Sequence, residues 1–268
     1  VTNSATALAI TVLMAEYNTP ADRLRESIAA ILDQTERRFE LLIVDDGSAT
    51  DVRSIAAEFA DERIRVVGYG ENRGFVEALN FGLEHARGEY IARMDTDDVA
   101  EPGYLATVYG WLRDHPEFAV VSGRAREVSS DGADLLLGRP GELTAKLVMR
   151  GRTPIHPATI MRAAAVREVG GYPSYRRSED LALWCELLLR GYRLYMVPEI
   201  VIAYRVEKAD FSKRVLRNRG DEIRVRLRYY PALGAGPREY AKIVTSILSG
   251  LLPVGLLRVI RTRVHQGS

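Results

Sequence analysis

Four short apolar runs alternate with helical patterns over the first hundred residues, and this alternation restricts the fold more than anything else in the chain. Residues 8–14 (LAITVLM), 39–44 (FELLIV), 64–68 (IRVVG) and 90–94 (YIARM) are strand-like in length and in β-branched content. Residues 21–34, 51–60 and 75–86 lie between them and carry helical spacing, as in Leu24, Ile28, Ile31 and Leu32. Strands separated by helices predict an α/β fold, with a mostly parallel sheet and right-handed crossovers. The carboxyl ends of such strands share one edge, where open α/β sheets bind ligands.

Those strand ends are acidic. The first runs into Glu16-Tyr17-Asn18, the second into Asp45-Asp46-Gly47-Ser48, and the fourth into Asp95, Asp97 and Asp98. Three carboxylates within four positions repel one another unless a positive charge joins them. Mg2+ or Mn2+ is the usual answer, because hard oxygen ligands and substrate phosphates suit these ions. A solvated acidic turn is the alternative. Tyr17 can stack on a base or sugar, or pack half-buried. Asp45 can accept hydrogen bonds from a ligand, and Ser48 or Thr50 can cap the following helix. Arg93 is the one awkward residue of its apolar run. Asn80 and Gly82 are unusual inside a helix; Gly82 allows close packing on the sheet, and Gly88 reads as a helix C-cap. Neither G-x-G-x-x-G nor a Walker-type phosphate loop is present.

Beyond Pro102 the pattern predicts a helix over 103–114, a strand over 119–123 and a second strand over 124–137 with a turn at 130–132. A short helix over 144–149, a polar loop over 150–159 carrying His156, a strand at 160–161 and a helical turn over 163–169 follow. Ser178 can cap a helix over 181–190, which puts Glu179 and Asp180 in its first turn. There they either offset the helix dipole or supply a general base. Strands over 193–197 and 200–205 flank Pro198.

The single cysteine, Cys185, excludes an internal disulfide and a cysteine-based zinc site, and reads as core. Residues 1–7 lack a signal-peptide pattern, so a cytoplasmic location is expected. From Tyr204 onward there are 14 Lys and Arg against 5 Asp and Glu, leaving 23 against 31 upstream. A basic tail on an acidic body points to an anionic contact. Residues 212–230 are basic and helical in pattern. Residues 240–264 are apolar around most of the helix, broken by Pro253, and too short for a confident span. They fit an interfacial helix at the inner face of a membrane, or one folded onto the body or a second subunit as a homo-oligomer. Residues 1–211 therefore read as one domain, with halves at about 8–102 and 103–211, and residues 212–268 as a helical extension.

Taken in order, the motifs resemble the family 2 glycosyltransferases, inverting enzymes of the GT-A fold that use nucleotide sugars. The resemblance covers about residues 8–214. It is carried by Tyr17-Asn18, Asp45-Asp46-Gly47-Ser48, Asn72 and Gly74 with Ala78, Asn80 and Gly82, and residues 87–91 (RGEYI). Asp95-x-Asp97-Asp98, Gly170-Gly171-Tyr172, Glu179-Asp180 with Leu183-Trp184, and Tyr204-Arg205 continue it. His156-Pro157-Ala158-Thr159 before Met161-Arg162 is similar to the branch that builds bacterial exopolysaccharides and surface glycans. The resemblance implies a nucleotide diphosphate sugar donor, a uridine diphosphate sugar in the first instance, held by Glu16, Tyr17, Asn18, Asp45, Asn72, Asp95 and Asp97. It implies Mn2+ or Mg2+ on Asp97 and Asp95, Asp180 as the base, and acceptor contacts at His156, Glu179 and Trp184. The acceptor would be a glycan or a lipid-linked glycan; no nucleic-acid partner is expected. Two positions depart from the family pattern. Ala15 stands where Pro is common, and Glu207 stands where a His often completes the metal shell. A non-catalytic module of the same fold should have lost the base or metal acids, and both remain. A nucleotidyltransferase should carry a basic Gly-rich loop after the first strand, where residues 15–18 are Ala-Glu-Tyr-Asn.

Overall fold

The computed structural model describes residues 8–129, 135–206 and 220–250. Strand β1 (Ile10–Glu16), helix α1 (Ala21–Leu32), β2 (Phe39–Asp45), α2 (Val52–Ala57), β3 (Ile64–Gly68), α3 (Phe75–His85) and β4 (Tyr90–Arg93) form the first half. The order β3-β2-β1-β4 is parallel throughout, as the alternation requires. These strands are apolar on both faces because helices cover both. One core lies beneath α1, with Ile10, Val12, Met14, Ile28 and Ile31; the other lies beneath α3, with Leu13, Leu42, Leu79 and Ile91.

The second half contains β5 (Val99–Ala100), α4 (Tyr104–Asp114), β6 (Phe118–Ser129), β7 (Leu135–Leu137), β8 (Gly141–Glu142) and α5 (Ala145–Met149). It continues with a 3-10 turn (His156–Ala158), β9 (Thr159–Arg162), α6 (Ala163–Glu168), α7 (Glu179–Leu189) and β10 (Arg193–Val206). Strand β9 joins the halves by pairing antiparallel with both β4 and β6. Strand β6 returns to the parallel direction beside β10. The carboxyl ends of β4, β6 and β10 therefore face the same edge as those of β1 and β2.

Several local expectations change in the structure. Gly123 does not divide β6; it lies against Val201, where a Cβ would collide with that side chain. Pro198 does not divide β10 either. Register shifts flank it, and a bulge accommodates the missing N–H. The N-cap of α2 is Asp51, accepting from Ser54 N at 3.0 Å, rather than Ser48 or Thr50. Gly88 is not a C-cap: the chain leaves α3 through extended Ala86, and a Cβ on Gly88 would stand 2.5 Å from Thr11 N. Gly82 plays its expected part, bringing α3 close over Leu13 and Val44.

The tail is integral where it is described. Helix α8 (Gly220–Tyr229) packs on α7, and α9 (Pro237–Gly250) packs on α5. Val225, Tyr229, Tyr230 and Ile243 are buried. Arg226 is buried as well, paired with Glu222 at 2.9 Å and donating to Met149 O at 3.3 Å. Arg150 pairs with Glu239 at 2.7 Å. Residues 220–250 therefore fold onto the body instead of forming a separate unit. No helix among the described residues is long and apolar enough to cross a membrane. The apolar stretch 251–264, like Glu207, lies outside the described residues.

Two glycines separate space from conformation. Gly88→Ala should lower stability by roughly 1–3 kcal/mol, because the methyl meets β1 backbone. Gly110→Ala, in α4 with no atom within 4 Å of the added carbon, should raise stability by about 0.5–1 kcal/mol. Urea denaturation of the two variants checks this; similar midpoints would contradict it.

Candidate active site

The loops after β1 and β2 are locked together before any ligand is considered. Asn18 adopts left-handed backbone, with φ 58°, which Asn tolerates. Its side-chain Oδ1 accepts from Ala49 N at 2.7 Å, and its own N–H donates to Ser48 Oγ at 3.1 Å. Asp45 Oδ1 accepts from Ser48 N at 2.8 Å. Glu16 is fully buried and accepts from Thr19 N at 2.8 Å. One oxygen of its carboxylate thus builds the loop, and the residue also lines the cavity at this edge. Tyr17 is 52% exposed, which removes the packing alternative and leaves its ring on the rim of the cleft.

Asp46, beside the expected Asp45, is the hub that the sequence did not single out. It is buried, and it accepts from Tyr69 Oη at 2.8 Å, Asn72 Nδ2 at 3.0 Å, Arg73 N at 2.7 Å and Gly74 N at 3.0 Å. A carboxylate at the start of α3 also suits the positive end of that helix. Asn72 therefore reaches the site with its amide already engaged. A cavity of about 600 Å³ opens here, between the end of β1, the start of α3 and residues 174–176. Tyr17, Asn72, Arg73, Phe75, Tyr175 and Arg176 line it.

At the end of β4 the positive charge among the acids is a residue of the chain. Arg93 is 3% exposed, and its Nη2 donates to Asp95 Oδ1. Asp95 stays partly exposed, with Oδ2 left for a ligand; Asp97 is exposed and Asp98 is buried. Ser27 Oγ anchors the turn by donating to Asp95 O at 3.1 Å and to Asp98 O. Thr19 and Thr96 tie it to the β1 loop, with their hydroxyl oxygens 2.7 Å apart. No group of three His, Cys, Asp or Glu side chains converges as a metal cluster among the described residues. The Asp97 carboxylate and the remaining oxygen of Asp95 are a hard, two-carboxylate donor set. That set fits an ion whose other ligands are water and phosphate oxygens.

Opposite lies the start of α7. Ser178 is left-handed, with φ 66°, and makes no side-chain cap, contrary to expectation. Glu179 and Asp180 are half-buried, and Asp180 Oδ1 accepts from Leu181 N at 2.7 Å. Burial, then the adjacent Asp180 charge, pushes the Glu179 carboxyl up to about 7. Burial likewise raises Asp180, against the opposing pull of the Leu181 N–H and Arg93. The approach to α7 is fixed by Asn80, which explains an asparagine inside α3. Its amide pairs with the backbone of Tyr172, Nδ2 to O at 2.9 Å and N to Oδ1 at 2.8 Å.

Two expected acceptor contacts lie in the interior instead. Trp184 is fully buried in the α7 core, and His156 is buried with Nε2 2.8 Å from Tyr172 Oη. Burial and the nearby Arg93 charge hold the imidazole well below its usual pKa, so it is neutral at pH 7. Trp184 lies with Leu183 and Leu187 on the buried side of α7. Nothing local in the sequence distinguished a buried His156 from an exposed one.

The carboxylates at the start of α7 thus stand opposite the acidic edge of a largely parallel sheet. The glycosyl transferase family 2 model matches residues 11–168, and the chain belongs to that family. It is 32% identical over 216 residues to a putative glycosyltransferase, EpsE, of Bacillus subtilis, covering 76% of each chain. It is 31% identical over 210 residues to TuaG of the same organism, a putative teichuronic acid biosynthesis glycosyltransferase, covering 76% of this chain and 81% of that one. The crystal structure of S. aureus TarS 1-349 with UDP-GlcNAc superposes with TM-score 0.70 at 18% identity, covering 91% of this chain and 71% of that one. This last likeness bears on the fold, which is GT-A.

Proposed function

We propose that this glycosyltransferase moves a sugar, with inversion, from a nucleotide diphosphate sugar to a glycan or lipid-linked acceptor in bacterial surface-polysaccharide synthesis. A uridine diphosphate sugar is the donor favoured here, in keeping with the UDP-GlcNAc complex of TarS. The observation that carries the reading is the pair of opposed acidic groups. Asp95 and Asp97 stand at the end of β4, and Glu179 and Asp180 at the start of α7, close enough for Asp95 to act on Glu179. Inversion is one displacement at the anomeric carbon; it needs a base on the acceptor side and charge neutralisation on the leaving diphosphate, the second of which carboxylates would supply by holding a cation.

In this reading Tyr17 stacks on the base and Asp45 and Asn18 complete the base-side loop. Asp180 accepts the proton of the acceptor hydroxyl as its oxygen bonds to the anomeric carbon and the bond to the diphosphate breaks. Glu179 faces the acceptor. Asp97, with Asp95, would hold Mn2+ or Mg2+, which supplies positive charge to the leaving diphosphate. The metal shell needs no third protein ligand when the diphosphate and water complete it. A cytoplasmic membrane surface is the place where a lipid-linked acceptor meets this cleft, with residues 251–264, which include Arg258, Arg261 and Arg263, as the attachment.

Asp180→Asn should cost about 10²–10⁴ in transfer rate while keeping donor affinity, since it preserves shape but cannot take the proton. Stopped assays against calorimetry separate the two effects; wild-type turnover would remove Asp180 from the role. Carboxyls with raised pKa are protonated at acid pH, and a base must be ionised. The wild-type rate should therefore fall as pH drops, through a limb above the ordinary carboxylate range that belongs to the Glu179–Asp180 pair; a limb at the ordinary carboxylate value would contradict this.

Asp97→Ala should weaken UDP binding in Mn2+ but leave uridine binding unchanged. Equal UDP affinity with Mn2+ and with chelator would sink the metal assignment.

Removing residues 251–268 should abolish binding to anionic vesicles, which otherwise falls with salt, while UDP affinity persists. Vesicle binding that survives the deletion would exclude that segment as the attachment.

A further inference from the structure

The loop that delivers Asp180 is pinned at both ends by distant parts of the chain. Residues 173–178 lead from α6 to the start of α7, and Ser174, Tyr175 and Arg176 among them line the cavity. At the near end, the paired bonds between Asn80 and the Tyr172 backbone fasten the loop to α3. At the far end, Arg177 N donates to Asp221 Oδ2 at 3.3 Å, across 44 positions of sequence. Ser178 follows at once, in left-handed backbone and without a side-chain cap. A residue with a Cβ keeps that conformation only where its surroundings hold it. Asp180 stands two positions further on.

Asp221 is placed to hold the loop. It lies in the first turn of α8, a helix anchored independently of residues 173–178. Tyr229 Oη donates to Glu186 Oε1 on α7 at 2.8 Å, and buried Arg226 donates to Met149 O at the end of α5 at 3.3 Å. Asp221 Oδ1 accepts from Arg224 at 3.1 Å, which orients the carboxylate with Oδ2 on the loop. We propose that Asp221 is a positioning residue: by holding Arg177 N it sets where the first turn of α7 presents Asp180, which makes the first turn of α8 a working part of the active site. The loops after β1 and β2 are locked by bonds of their own. The tether therefore acts on turnover and leaves nucleotide affinity nearly unchanged.

The functional side of this inference rests on Asp180 being the base, so one readout is independent of that role. Deuterium uptake by a peptide spanning 174–181 is measured in the full chain without substrate, in wild type, Asp221→Ala and Asp221→Asn. Cleavage is measured with whichever member of a panel of UDP- and GDP-sugars the wild type turns over fastest, and calorimetry gives the affinity for the matching nucleoside diphosphate. Loss of the tether in Asp221→Ala should speed uptake about tenfold and lower kcat about tenfold, with diphosphate affinity within about twofold. Asp221→Asn keeps an accepting oxygen and should restore both uptake and kcat to near wild type. Unchanged uptake or unchanged kcat in a folded Asp221→Ala overturns the proposal. So does an Asn variant as impaired as Ala, or a loss of diphosphate affinity as large as the loss of kcat. If Asp221→Ala does not fold, Asp221→Glu decides, because it moves the oxygen by one methylene: wild-type uptake with wild-type kcat overturns the tether. Full activity in Asp180→Asn would sink the base assignment, while uptake over 174–181 would still report on Asp221.

Discussion

Repulsion among carboxylates at one edge of the sheet is the constraint that the site is built around. Parallel strands deliver their carboxyl ends to the same edge, and here β1, β2 and β4 each bring acids. Each acid is settled in a different way. Glu16 and Asp46 are buried against N–H and O–H donors of neighbouring loops. Asp95 takes the Arg93 guanidinium, and Asp97 stays in solvent. Hydrogen bonds from N–H and O–H donors and an opposite charge both offset the repulsion among carboxylates. Glu179 and Asp180, desolvated side by side at the start of α7, are the ones displaced toward neutrality.

The second half of the chain brings the two groups of acids together. Strand β9 runs backward between β4 and β6, and α6 and the left-handed turns at Gly170, Gly171 and Ser178 then aim the start of α7 at the edge. Asn80 fastens that approach to α3 by pairing with the Tyr172 backbone. Helix α8 backs α7 through Tyr229 Oη, which donates to Glu186 at 2.8 Å, and through Asp221, which accepts from Arg177 N at 3.3 Å. The tail therefore contributes to holding the helix that carries Asp180, in addition to any contact that its further residues make.

Much of this was legible in one dimension. Strand and helix periods placed every element of the first half, with ends shifted by up to three residues, because each of those strands is largely apolar and each helix has a single apolar stripe. Acids at strand ends marked the edge. The second half was harder. Gly123 and Pro198 look like breaks, yet one is a close approach and the other a bulge, and both depend on the neighbouring strand. Ser178 looks like a cap, yet its backbone is left-handed. His156 and Trp184 look like contacts, yet they are interior. Asp46 hides beside Asp45, since adjacent residues on a strand point to opposite faces and only the packing shows which one meets α3.

The sequence by itself determined the α/β class, the order of elements through β4, the acidic edge and the family, because these follow from local periodicity and from residues adjacent in the chain. Only the tertiary structure decided which acids are buried on loops, that β9 reverses the sheet, that α8 and α9 pack on the body, and that Arg93 pairs with Asp95. Those outcomes depend on burial and on partners dozens of positions away. A side chain's charge, its hydrogen bonds and its access to water are set by what surrounds it, and the surroundings exist only after folding.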